Sequence, residues 1–145
     1  MKLLLSIEPR PVSTWGVTLS NLLPKKEWFE LARQCKQEAD YTCVVCGTES
    51  RKMHAHEVWS FDDKKKVQKL EDVICICVLC HDVKHFGRST QVYGKRYQTE
   101  LIKHWCKVNK LTKEDFQKHL NDIRTLNHKR VKVFYVVEVG GHILG

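Results

Sequence analysis

The chain has 145 residues, 42% of them apolar and 29% charged, with a net charge of +8. That length suits one domain, residues 1–145, with enough apolar content for a core and no segment biased enough to read as disordered. No apolar run approaches a bilayer span and Leu3–Leu5 is too short for a signal peptide, so a membrane protein is excluded and a cytoplasmic location is expected.

Leu3–Ile7 is expected as a short strand. Glu8-Pro9-Arg10-Pro11 follows, where two prolines forbid a helix interior. A helix is predicted over Pro24–Ala39, with proline at its start and Trp28, Leu31, Ala32, Cys35 and Ala39 on one apolar face. Tyr41–Gly47 reads as a cysteine knuckle and Met53–Phe61 as a strand. Asp62–Lys66 is a polar turn, and Val67–Val78 is a second extended run that leads into another knuckle. A short helix His81–Phe86, ended by Gly87, and a helix Thr99–Asn109 are expected next. Thr112 and Asp115 have capping-box spacing, flanked by Leu111 and Phe116 as a hydrophobic staple. Phe116, Leu120, Ile123 and Leu126 would form the buried stripe of that helix, and Trp28 and Trp105 fall in helical stripes as core residues. Val131–Val139 is a strand by composition, expected to pair with Leu3–Ile7.

The charge is uneven. Lys84–Lys132 carries thirteen Lys or Arg against four Asp or Glu, while the remainder is nearly balanced at twelve against thirteen. A basic half points to a polyanionic partner, most simply nucleic acid.

Of seven cysteines, four form the pairs Cys43-x-x-Cys46 and Cys77-x-x-Cys80, thirty residues apart. Two such knuckles supply the tetrahedral thiolate shell of a closed structural zinc site, with no open position for chemistry. An odd cysteine count without an export signal argues against disulfides. Cys35, Cys75 and Cys106 lie in apolar patterns and read as small buried residues; Cys75 could stand in for Cys77 only with a four-residue gap to Cys80.

Four histidines fall within thirty-two residues. His54 and His56 share one face of the first predicted strand, and Glu57 points to the other. His81 and His85 are four apart, on one side of a helical turn. Neutral imidazoles are common ligands of divalent metals, so a second, open metal site is expected here.

The words Cys43-Val-Val-Cys46, His54-Ala-His-Glu-Val-Trp59 and Asp72-Val-Ile-Cys-Ile-Cys-Val-Leu-Cys-His81-Asp-Val-Lys-His85 resemble the HNH endonuclease superfamily. Trp15-Gly16, Leu22-Leu23-Pro24, Lys84-His85-Phe86-Gly87 and His104-Trp-x-x-Val-Asn109 are similar to a group of small stand-alone HNH proteins of bacteria and their phages. The resemblance implies an α+β fold: a treble-clef, ββα-metal core at 41–87. An N-terminal strand and helix at 1–40 would precede it, and basic helices with a C-terminal strand at 88–145 would follow. It implies DNA phosphodiester hydrolysis, with His56 as general base, Glu57 beside it, and His81 and His85 as ligands of a catalytic Mg²⁺, Mn²⁺ or Ni²⁺. Lys84, Arg88, Lys95 and Arg96 are the candidates for holding the phosphate backbone. The family often has Asp or His just before the base, where this chain has Ala55, and often Asn where this chain has Asp72. His54 or Glu57 compensates, or His56 is itself a ligand. A catalytically inactive zinc module that binds nucleic acid or a protein partner is the alternative.

Overall fold

The Val-, Trp- and Ile-rich runs that flank Asp62–Lys66 form a hairpin, and the helices are arranged around it. In the computed structural model, which describes residues 2–140 and 142–144, β1 (Met53–Asp62) pairs antiparallel with β2 (Val67–Cys77). Asp62 closes the turn: its Oδ1 accepts from the backbone N–H groups of Lys64 and Lys65, each at 2.9 Å. A register irregularity between Val58 and Trp59 marks a bulge. The helices are α1 (Leu19–Leu22), α2 (Lys25–Glu38), α3 (Val78–Lys84), α4 (Phe86–Asn109) and α5 (Lys113–Lys129). The fold is therefore mixed α+β.

Two predicted helices stand where expected. α2 begins after Pro24 and ends at Ala39, with Ala32 buried and Cys35 and Ala39 against the core; Trp28 is only half-buried. α5 carries the full capping box, with Thr112 and Asp115 each accepting from the other's backbone N–H. Phe116 and Leu120 are buried, and Phe116 meets the rings of Phe86 and Trp105 edge-on at 5.1 and 5.3 Å. These aromatics, with Leu5, Ile7, Ile76, Val83 and Leu101, form the core beneath the hairpin.

Four expectations are corrected. Leu3–Ile7 forms no strand, because side chains take its backbone groups: Asn109 Oδ1 accepts from the Leu4 and Leu5 N–H groups at 2.8 and 3.0 Å, and Ile7 N–H donates to His119 Nε2 at 2.9 Å. The C-terminal strand, β3 (Val136–Val139), consequently pairs in parallel with β2, Val67 opposite Val136 through Lys69 opposite Glu138. A further strand, β4 (His142–Leu144), extends the sheet to the order β1-β2-β3-β4. The helix after the second knuckle starts at Val78 rather than His81, because Cys77 caps it by accepting from Cys80 N–H. Gly87 ends nothing. The chain turns at His85, which closes α3 and opens α4, and α4 is broken instead at Gly94, whose φ of 83° suits only glycine.

Candidate functional site

The cysteine knuckles are built by backbone N–H groups aimed at sulfur. Cys46 N–H donates to Cys43 Sγ at 3.5 Å and Cys80 N–H donates to Cys77 Sγ at 3.4 Å. Gly47, at φ 79°, turns the first knuckle. Val44 N–H then bonds Cys75 O at 3.0 Å, which ties this knuckle to β2. The four sulfurs of Cys43, Cys46, Cys77 and Cys80 all lie within 4.8 Å of one another. That spacing fits the edges of a thiolate tetrahedron around an ion at ordinary Zn–S length, and the four can hold a metal ion such as zinc. Cys75 is buried but lies outside the set. Hydrogen bonding from Cys80, aided by His104 and Cys46, outweighs burial and draws the Cys77 thiol down to about 3, while the same contact with Cys77 pushes Cys80 up. Thiols crowded tightly enough to share protons are thiols from which a divalent ion readily displaces them. His104 Nε2 lies 3.2 Å from Cys80 Sγ, a contact that nothing in the cysteine spacing announces.

The second cluster forms where β1 faces α3. The strand presents His56, and the helix presents His81 and, at its last turn, His85. Their ligand atoms fall within 4.8 Å of one another. His54 does not join this set; its ring stacks on His81 with centroids 4.1 Å apart and planes 8° apart. Burial first, then neighbouring imidazoles, push His85 down to about 3 and His81 down to about 4. Both rings are thus neutral near pH 7, which is the form that binds metal.

Three residues outside the predicted set orient these rings. Glu8 stands at the end of the N-terminal segment, with both carboxylate oxygens 2.8 Å from His56 Nε2. A carboxylate only accepts, so Nε2 carries a proton in this contact and Nδ1 is the ring nitrogen left for another partner. Burial raises the Glu8 carboxyl, but the hydrogen bond to His56, aided by the charge of Lys84, overcomes it and holds Glu8 below the usual carboxylate range. Asp82 Oδ1 lies 3.3 Å from His81 Nδ1, and Tyr97 O–H donates to Asp82 Oδ2 at 2.5 Å. This arrangement leaves His81 Nε2 as its ligand atom, oriented from behind by a carboxylate, as metal-binding histidines usually are.

The remaining predicted residues separate into distinct places. Glu57 lies on the opposite strand face, where Oε1 accepts from Leu19 N–H and from Trp59 Nε1–H; it anchors α1 and does not reach the histidines. Lys84 is buried and paired with Glu8 at 3.5 Å, so it is no surface contact for phosphate. Arg88 is exposed beside His85. Lys95 and Arg96 are exposed beyond the Gly94 break, away from the cavities at the cluster. Among the described residues, no helix is long and apolar enough to cross a membrane.

No family model matches the chain, and no curated protein or solved structure is similar to it at a significant level.

Proposed function

We propose that the chain is a zinc-stabilised, metal-dependent endonuclease of the HNH type that hydrolyses DNA phosphodiester bonds. The observation that carries this reading is the convergence of His56 from β1 with His81 and His85 from α3, beside a four-cysteine cluster that spans the same strand–helix junction. The treble-clef arrangement implied by the sequence motifs brings strand and helix together in this way.

In this reading the thiolates of Cys43, Cys46, Cys77 and Cys80 would hold a closed structural zinc, which would tie the first knuckle to the end of β2 and the start of α3. His81 and His85 would hold a divalent ion, Mg²⁺, Mn²⁺ or Ni²⁺, which would supply Lewis-acid stabilisation of negative charge at the phosphate. His56 takes the proton from the attacking water at Nδ1, while Glu8 keeps Nε2–H in place and stabilises the imidazolium that results. Arg88 neutralises the backbone next to the site.

One observation supports a second reading. A histidine whose outer N–H is held by a carboxylate is also the common form of a metal ligand, so Glu8 equally suits a site where His56, His81 and His85 all bind one ion and no base remains. That chain would be a catalytically inactive zinc module binding nucleic acid or a protein. Metal analysis with plasmid nicking in Mg²⁺, Mn²⁺ or Ni²⁺ decides between them. The endonuclease nicks, and His56→Ala abolishes nicking while retaining one zinc per chain. Equal cutting by wild type and His56→Ala, or no cutting with any of the three metals, overturns the assignment.

A further inference from the structure

Two cavities meet at the histidine cluster. One, of about 260 Å³, is lined by His54, His81, Asp82, His85, Arg88 and Tyr93, among others. The other, of about 460 Å³, lies on the far side of His85, where Ile7, Phe86, Leu120 and Ile123 give it an apolar lining. His85 and Arg88 line both, so the two cavities are neighbours at these side chains.

The larger cavity has the chemistry of a nucleotide site. Its volume falls within the range of small-molecule pockets. Arg10, Arg88 and Arg124 line it, and none of the three is in an ion pair among the described residues. Glu8, its one carboxylate, is already held by His56 and Lys84. Trp15, 68% exposed, forms part of the wall. A flat apolar body with an attached anion suits this lining: the base meets Trp15 and the apolar side chains, and the phosphates meet the arginines.

We infer that this cavity binds one unstacked nucleotide next to the scissile phosphate, so that the preferred substrate is a single-stranded or locally unpaired DNA strand. A base stacked within a duplex cannot enter a recess of this kind without flipping out, which forfeits its stacking and pairing. The inference rests on the endonuclease reading for the word scissile, but the binding itself does not depend on cleavage.

The test is fluorescence anisotropy of a labelled 12-nucleotide DNA, alone and annealed to its complement, with zinc-loaded His56→Ala protein and no other added divalent ion. The single strand is expected to bind at least tenfold more tightly than the duplex. Arg124→Glu should weaken single-strand binding about tenfold, and Trp15→Leu about fivefold or more, in line with the loss of one stacked base. Lys95→Glu, an equal charge reversal outside both cavities, should change it by less than about threefold, the loss of a lone phosphate contact. Equal or tighter duplex binding, or equal effects of Arg124→Glu and Lys95→Glu, overturns the inference. Wild-type protein with Mn²⁺ is assayed on the same DNAs. Cutting of duplex without single-strand preference defeats this inference and leaves the nuclease standing. Selective single-strand binding without any cutting supports the inference and defeats the nuclease.

Discussion

Replacing Cys80 by Ser removes one of four sulfurs at a position that is 0% exposed and joins β2 to α3. Structural zinc contributes roughly 10–16 kcal/mol to folding in small zinc domains, comparable to the whole stability of an ordinary domain, about 5–15 kcal/mol. If a Ser ligand forfeits a quarter of that binding, about 3 kcal/mol is lost, and a chain of this size melts roughly 6–12 °C lower. The proper control is Cys75→Ser, also buried, at 1% exposure, but outside the ligand set. It places a hydroxyl in an apolar site at a cost of about 1–3 kcal/mol, so melting temperature alone does not separate the two variants. Zinc content does. Mass spectrometry under native conditions should find one zinc per chain in wild type and Cys75→Ser, and substoichiometric zinc, readily stripped by a chelator, in Cys80→Ser. One firmly held zinc in Cys80→Ser, or its loss in Cys75→Ser, would refute the assigned ligand set.

Asn109→Ala should destabilise the protein by about 2 kcal/mol, since three hydrogen bonds to Leu4 and Leu5 are lost; amide exchange at Leu4 and Leu5 should accelerate, and unchanged protection there would contradict the pinning described. Acid should weaken the protein through His81 and His85. Their folded values lie near 4 and 3, below the ordinary 6.5, so the unfolded chain takes up protons first. Stability is then full above about pH 6.5 and falls by a few kcal/mol as pH drops towards 4, an effect measurable by urea unfolding and diminished in a His85→Gln variant. For DNA affinity, Arg88→Ala should cost more than Lys95→Ala or Arg96→Ala, because only Arg88 lines the cavities at the histidines; equal losses in a salt-titrated binding assay would mean that the whole basic half acts as one diffuse surface.

The legible parts of the site were those encoded by local spacing. Two residues between cysteines oblige both sulfurs to turn the same way, so Cys43, Cys46, Cys77 and Cys80 could be paired from the sequence, and the exclusion of Cys75 followed from its gap to Cys80. His81 and His85 lie one helical turn apart, and His56 lies on the strand face opposite Glu57, so three of the clustered imidazoles were also readable. Glu57, which strand alternation already placed on the face away from His56, anchors α1 with its carboxylate. Lys84 carried a charge that sequence reads as surface, yet Glu8 neutralises it in the interior.

Nothing in local spacing assigned Glu8, Asp82, Tyr97 or His104 to either cluster, although Asp82 and His104 fall within the HNH-like words. Asp82 and Tyr97 meet only because α3 and α4 are set at an angle by the turn at His85. His104 reaches Cys80 only after α4 has packed back onto the second knuckle. Glu8 reaches His56 because Asn109 and His119 hold the N-terminal segment along the helices, the same bonds that keep Leu3–Ile7 out of the sheet and leave β3 free to pair with β2. Local chain geometry determined which side chains could act as ligands, since a knuckle or a helical turn needs only near neighbours in sequence. Which carboxylates orient those ligands, and which cavity opens beside them, depends on contacts between residues more than a hundred positions apart, and those exist only once the core has closed.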